Sequence, residues 1–332
     1  MEKMAQTGRL MRSLLATSLV GLLLFGCSNR NANTDLVLKS APRFNADSAY
    51  GFVKHQVDFG PRVPSTEAHT RCGDYLVSTL TRFGATVTEQ KDSVAGYDGA
   101  MLPMRNIIAS FYPTLEKRIL LASNWDTRAW ADRSDSLPTL PADGANDGAS
   151  GVGVLLEIAR IIGRDSLPIG VDIILFDLED QDRPAYDINP NQTEHYGCLG
   201  TRYWANNLDG YTAEYAVFLD MVGAENAKFT LEGNSIKYAE PVVRKVWDVG
   251  NKLGYENYFR YNRTPHIQDD HAYINEITGI PSIDIIQYDP NGVGPFWKHW
   301  HTHEDNMAVI SKETLGAVGQ TVLQVIYNEE AD

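Results

Sequence analysis

The sequence predicts an α/β/α sandwich built on a central, mostly parallel mixed sheet. Three observations lead there. Several short segments are rich in Val, Ile, Leu and Phe with apolar residues on both faces, as strands buried between two layers must be. Stretches with helical spacing lie between the later of these segments, and that alternation builds parallel sheets. No repeat, low-complexity tract or Pro/Gly/Ser-rich linker divides residues 44–332, so one domain is the economical reading. The 332 residues, 43% of them hydrophobic, are enough for a substantial core.

In chain order, residues 1–26 read as a signal peptide, with the basic start MEKMAQTGRLMR followed by an apolar run too short to span a bilayer. It ends in Leu24-Phe25-Gly26-Cys27, which resembles a bacterial lipobox, where the cysteine is acylated and becomes the new N-terminus. The expectation is an exported, periplasmic protein, attached to a membrane only through a lipid on Cys27, with residues 27–43 as a polar, flexible tether. Cys72 and Cys198 remain, and nothing in the sequence shows that they are close enough to pair. A formal net charge of −14 argues against nucleic acid or anionic lipid as a partner.

Helices are expected at 45–57 and 66–83, broken by Asp58-Phe59-Gly60-Pro61-Arg62. The period then shortens, and strands are expected at 85–89, 105–111, 118–123, 171–176, 215–219 and 282–287. Helices at 151–162, 199–206, 241–253 and 312–327 complete the pattern.

Ligands of open α/β sheets bind beyond the carboxyl ends of the strands, so the residues just past each strand matter most. Here they are Asn124-Trp125-Asp126, Asp177-Leu178-Glu179-Asp180, Asp220 and the loop Trp300-His301-Thr302-His303. Asp147 joins them from Gly144-Ala145-Asn146-Asp147-Gly148, just before a helix. One imidazole with carboxylates and an open position is a ligand set for catalytic zinc. Taken singly, Asp147 reads equally as a helix N-cap, the Glu-Asp pair as a solvated turn, and His299, His301 and His303 as ordinary histidines.

Together, FGPRVPSTEAH, SNWDTR, GANDGASGVGVLLEIAR, ILFDLEDQD, FLDMVGA, QDDHAYI and WHTHEDN resemble the zinc-dependent aminopeptidase superfamily and, within it, the animal and bacterial glutaminyl cyclases. The resemblance implies that Asp147, Asp180 and His301 hold zinc and that Glu179 is the acid/base. Asp220 and Asp269 fall in the supporting acidic network. Dinuclear aminopeptidases carry His-x-Asp where this chain has Asn124-Trp125-Asp126, which implies one zinc per chain. Asp180 stands where many relatives carry Glu.

The implied reaction is cyclisation of an N-terminal glutamine in peptides or proteins to pyroglutamate with loss of ammonia, in a small pocket walled by Trp300, Phe296, Ile267 and Tyr186, with Gln268 contacting substrate. Residues 181–197 read as a long loop beside it. An exported zinc aminopeptidase of the same fold, or a catalytically silent binding lipoprotein, are the competing readings.

Overall fold

The computed structural model describes residues 36–188 and 195–331. The predicted signal peptide, Cys27, the first part of the tether and the middle of the 181–197 loop lie outside those residues.

The chain opens with two helices, α1 (Ala46–Val57) and α2 (Glu67–Arg82). Their start sites follow from chemistry: Asn45 and Thr66 cap them, accepting from the Ser48 and His69 amides at 3.1 Å each. A hairpin follows, β1 (Thr86–Ala95) and β2 (Met101–Phe111), then β3 (Arg118–Asn124), α3 (Ala149–Ile162) and β4 (Gly170–Phe176). Next come α4 (Leu199–Ala205), β5 (Ala216–Asp220), β6 (Phe229–Leu231), α5 (Gly233–Lys252) and β7 (Phe259–Arg263). The last elements are α6 (Asp270–Tyr273), which runs into a π-helical turn at Ile274–Thr278, β8 (Ser282–Ile286) and α7 (Lys312–Asn328).

Six strands form the main sheet in the order β1-β2-β4-β3-β5-β8, with β4, β3, β5 and β8 parallel and the hairpin antiparallel at one edge. Because successive side chains point to opposite faces, each central strand feeds two cores. Ile119 and Leu121 of β3, Val171, Ile173 and Leu175 of β4, Val217 and Leu219 of β5, and Ile283 and Ile285 of β8 face α1, α2, α3, α5 and α7. Leu120, Ala122, Ile174, Phe176, Ala216 and Phe218 face Trp204 of α4 and Ile274 of the π turn. This is the expected three-layer sandwich.

The differences lie at the edges. The outer hairpin is longer than predicted, running to Ala95 and starting again at Met101 around a turn closed by the Gly96 amide on the Ala100 carbonyl at 2.8 Å. Most of β1 is solvent-exposed and polar, so no apolar alternation marked its far end. The helix expected at 241–253 is the second part of α5. Its first part ends in a kink at Ala239, where Pro241 removes a backbone donor.

One glycine ties the fold to the site. Helix α3 begins two residues after Asp147 and passes so close to the sheet that a Cβ at Gly151 would run into the Leu219 carbonyl and the Ser123 hydroxyl. Gly151→Ala is expected to cost about 1–3 kcal/mol through overpacking, read as a lowered midpoint in thermal or denaturant unfolding.

Candidate active site

The parallel strands all end at the same edge of the sheet, and the chain reverses its direction of travel across the sheet at β3, between β4 and β5. Loops leaving such a switch point surround a crevice. Here it is a cavity of about 390 Å³ lined by Asp147, Glu179, Asp180, Asp220, Asp269 and His301, with Ile267, Gln268, Phe296 and Trp300 among its other walls.

Three groups define its floor. Donor atoms of Asp147, Asp180 and His301 lie within 4.8 Å of one another, and all three residues are buried. His301 Nε2 is 3.0 Å from Asp180 Oδ1 and 3.8 Å from Asp147 Oδ2. Each is held from behind. Asp305 accepts from the Asn146 amide at 2.7 Å and the Asp147 amide at 3.1 Å, fastening the turn that carries Asp147. Asp126 accepts from the Glu179 and Asp180 amides at 3.1 and 3.2 Å and from Gln181 Nε2 at 3.0 Å, fixing the turn after β4, where Leu178 is left-handed. His301 is itself left-handed (φ 58°), with its carbonyl taking the Arg133 amide at 3.1 Å and its ring stacked on Trp300 at 3.7 Å between centroids.

Behind His301, Nδ1 faces Asp132 Oδ1 at 3.4 Å, and Asp132 receives Arg128 Nη2 at 2.8 Å. Burial opposes ionisation of Asp132, yet His301 and Arg128 hold its carboxyl well below the usual range. A carboxylate on the far nitrogen sets the tautomer that leaves Nε2 free to ligate. Sequence reasoning missed Asp132 and Arg128; Arg128 closes the stretch SNWDTR, and its four-residue spacing from Asp132 was a further available signal. Asp132→Ala is expected to weaken metal binding by about 10–100-fold, measured by competition with a chromogenic chelator.

The acids crowd one another. Burial raises the Asp147 carboxyl well above its ordinary value, and the Asp180 and Asp220 charges add to it. Burial does the same to Glu179, reinforced by Asp180 and Asp269, and to Asp220, reinforced by Asp269 and Asp180. Cys198 lies between Glu179 Oε1 (3.7 Å) and Asp269 Oδ1 (3.9 Å), and burial among these acids pushes its thiol up. Such a knot of negative charge, with imidazole in reach of two carboxylates, suits a divalent cation, and the Asp147, Asp180 and His301 donor set is a candidate metal site of the zinc kind.

Of the predicted walls, Ile267, Phe296 and Trp300 join Met221 and Ile286 in one apolar cluster, with the Phe296 and Trp300 rings stacked at 4.3 Å. Tyr186 does not belong with them. It is 49% exposed and does not line the cavity, because the chain turns at Pro184, with the Asp187 amide on its carbonyl, and carries the ring outward. His303 likewise points away, onto the Leu137 carbonyl at 3.2 Å. Cys72 and Cys198 are both buried, free thiols.

Residues 106–326 match the model of peptidase family M28. The chain belongs to this family. Among solved structures, a Zn-dependent exopeptidase from Parabacteroides distasonis is 51% identical, with a TM-score of 0.84 over 87% of this chain and 100% of that one. The glutaminyl cyclase of Bacteroides thetaiotaomicron, solved with N-acetylhistamine, is 48% identical, with a TM-score of 0.85 over 88% and 100%. The curated glutaminyl-peptide cyclotransferase of Gloydius blomhoffii is 26% identical over 68% of this chain, and the match spans 65% of that protein's length. Within this M28 chain, Asn124 is buried against Gly148, so close that a Cβ there would strike the carboxamide, and neither polar atom of that carboxamide has a hydrogen-bond partner among the described residues.

Proposed function

We propose that this chain cyclises N-terminal glutamine of peptides and proteins to pyroglutamate, releasing ammonia, with one zinc held by Asp147, Asp180 and His301. The observation that carries the reading is the convergence of that triad and a third carboxylate, Glu179, in one small cavity with an apolar wall. The 48% identity to a solved bacterial glutaminyl cyclase over the length of that chain supports it. Asn124 supports a single metal, since a neutral carboxamide is a poor zinc donor.

In the reaction the substrate's α-amine attacks its own side-chain amide carbon; the new C–N bond closes a five-membered lactam and the old one breaks to free ammonia. Zinc, when bound, supplies Lewis-acid polarisation of the amide oxygen. Glu179 takes a proton from the α-amine and delivers one to the leaving nitrogen, a shuttle suited to a carboxylate whose affinity for protons is raised. Asp269 crowds Glu179, Asp220 lines the same cavity, and the two receive the positive charge that develops on both nitrogens. Trp300, Phe296 and Ile267 exclude water and hold the side chain folded back on the amine, while Gln268 lies at the cavity wall for contacts with the peptide. The natural partners are then peptides or proteins with N-terminal glutamine.

Incubation of purified protein with Gln-peptides and with aminoacyl reporter substrates tests this. Pyroglutamate and ammonia with one zinc per chain are expected. Release of free amino acids with two metals per chain would overturn the reading in favour of an aminopeptidase, to which the 51% identity with a Zn-dependent exopeptidase lends weight.

No helix among the described residues is long and apolar enough to cross a membrane. The motif ending at Cys27 supports export and a lipid anchor, with residues 1–26 removed and one catalytic domain from about residue 44. Cys27→Ser should move the mature protein from the membrane to the soluble fraction of an expressing bacterium.

A further inference from the structure

Arg133 lies at the rim of the cavity, exposed to solvent. Its backbone is fixed to the metal triad, because its amide donates to the carbonyl of His301 at 3.1 Å. Its guanidinium lies over the Trp300 ring, 5.5 Å from the centroid, and no carboxylate pairs with it among the described residues. A second arginine of the lining is differently placed. Arg128 is buried and committed to Asp132 and to the carbonyls of Asp180, Asp182 and Arg183. Asp132, the acid next to Arg133 in sequence, is taken by Arg128 and His301.

Trp300 therefore stands between the triad and a cation that has no anion to meet. A substrate whose terminal glutamine is held at the triad places its next Cα about 3.8 Å further along the chain. A side chain of two or three carbons extending from there along the indole would bring a carboxylate toward that guanidinium. A guanidinium with a fixed base and an open face is the group best shaped to receive a carboxylate, through paired N–H donors. We infer that Arg133 is a specificity residue, selecting peptides in which an aspartate or glutamate follows the N-terminal glutamine. This rests on the cyclase reading of the site.

The test compares kcat/KM of the zinc-loaded enzyme for Gln-Glu amide, Gln-Gln amide and Gln-Lys amide, with Gln-Gly free acid and Gln-Gly amide to separate a side-chain carboxylate from a C-terminal one. The parent should favour Gln-Glu amide over Gln-Gln amide about three- to fivefold, as for a partly exposed ion pair, and added salt should shrink the margin. Arg133→Lys should keep the preference, Arg133→Gln remove it, and Arg133→Glu turn it toward Gln-Lys amide. Because each variant is read as a ratio of substrates, a loss of folded protein cannot imitate the result. Cyclisation with a flat preference in the parent, or an unchanged order in Arg133→Glu, overturns the assignment and leaves the cyclase reading standing. A preference confined to Gln-Gly free acid overturns the side-chain assignment in favour of the C-terminus. No cyclisation of any peptide defeats the cyclase reading and this inference with it.

Discussion

Glu179→Gln is expected to lower the rate of glutamine cyclisation by about 10²- to 10⁴-fold while the protein keeps its zinc. The two readouts separate the roles of adjacent acids. Glu179 lines the cavity but is not one of the three clustered donors, and its backbone amide is held by Asp126 whether or not the side chain is charged. Glutamine keeps the shape, cannot accept the amine's proton, and removes a negative charge from beside Asp180 and Asp269. The variant should therefore be at least as resistant to heat as the parent. Steady-state kinetics, metal content and thermal unfolding on one preparation check all three statements. Near-parental turnover would transfer the proton shuttle to another acid, and loss of zinc would show that Glu179 and Asp180 exchange roles.

Stripping the metal with a chelator should abolish activity and make stability fall as pH rises. The direction follows from which state holds more protons. Burial and neighbouring charges raise Asp147, Glu179 and Asp220 well above their ordinary values. Burial pushes Asp126 and Asp305 up to about 7. In the unfolded chain the same groups titrate near 4. Between about pH 4 and about pH 7 the folded, metal-free protein thus binds more protons than the unfolded one. Stability is fully present below the unfolded value and is lost as pH rises through the folded values. A bound dication lets these acids ionise without that loss, and it binds only the folded arrangement, adding its own linkage. Melting curves of chelated and zinc-loaded protein should be close at mildly acidic pH and separate steadily toward neutrality. Parallel curves across that range would mean that the acids are not relieved by the metal.

These expectations needed a structure because the sequence does not say which residue stands behind which ligand. Asp132, which faces His301 Nδ1, is an ordinary loop acid in sequence, and Asp305, which fastens the Asp147 turn, sits in the WHTHEDN stretch with no role readable there; only the folded chain brings them to 3.4 Å and 3.1 Å from the atoms they meet. Cys198 lies 19 residues from Glu179 in sequence, yet its sulfur is 3.7 Å from that carboxylate. The loop reading of Tyr186 went the other way. An aromatic residue near the site looked like a wall, but the turn at Pro184 points it at solvent, whereas Phe296 and Trp300 face inward from beyond β8.

By itself the sequence determined the layers and the rim. Burial on both faces forces near-continuous apolar strands, so β3, β4, β5 and β8 were readable without coordinates. The family-like stretches then picked out Asp147, Glu179, Asp180 and His301 at or beyond strand ends. The resemblance implied that these share a centre, and the tertiary structure supplies the reason, because donors 154 residues apart in sequence, Asp147 and His301, meet within 4.8 Å only through the order in which parallel strands are laid down. The tertiary structure alone decided what holds them there, since second partners such as Asp126, Asp132 and Asp305 are chosen by distance and burial, which leave no period in the chain.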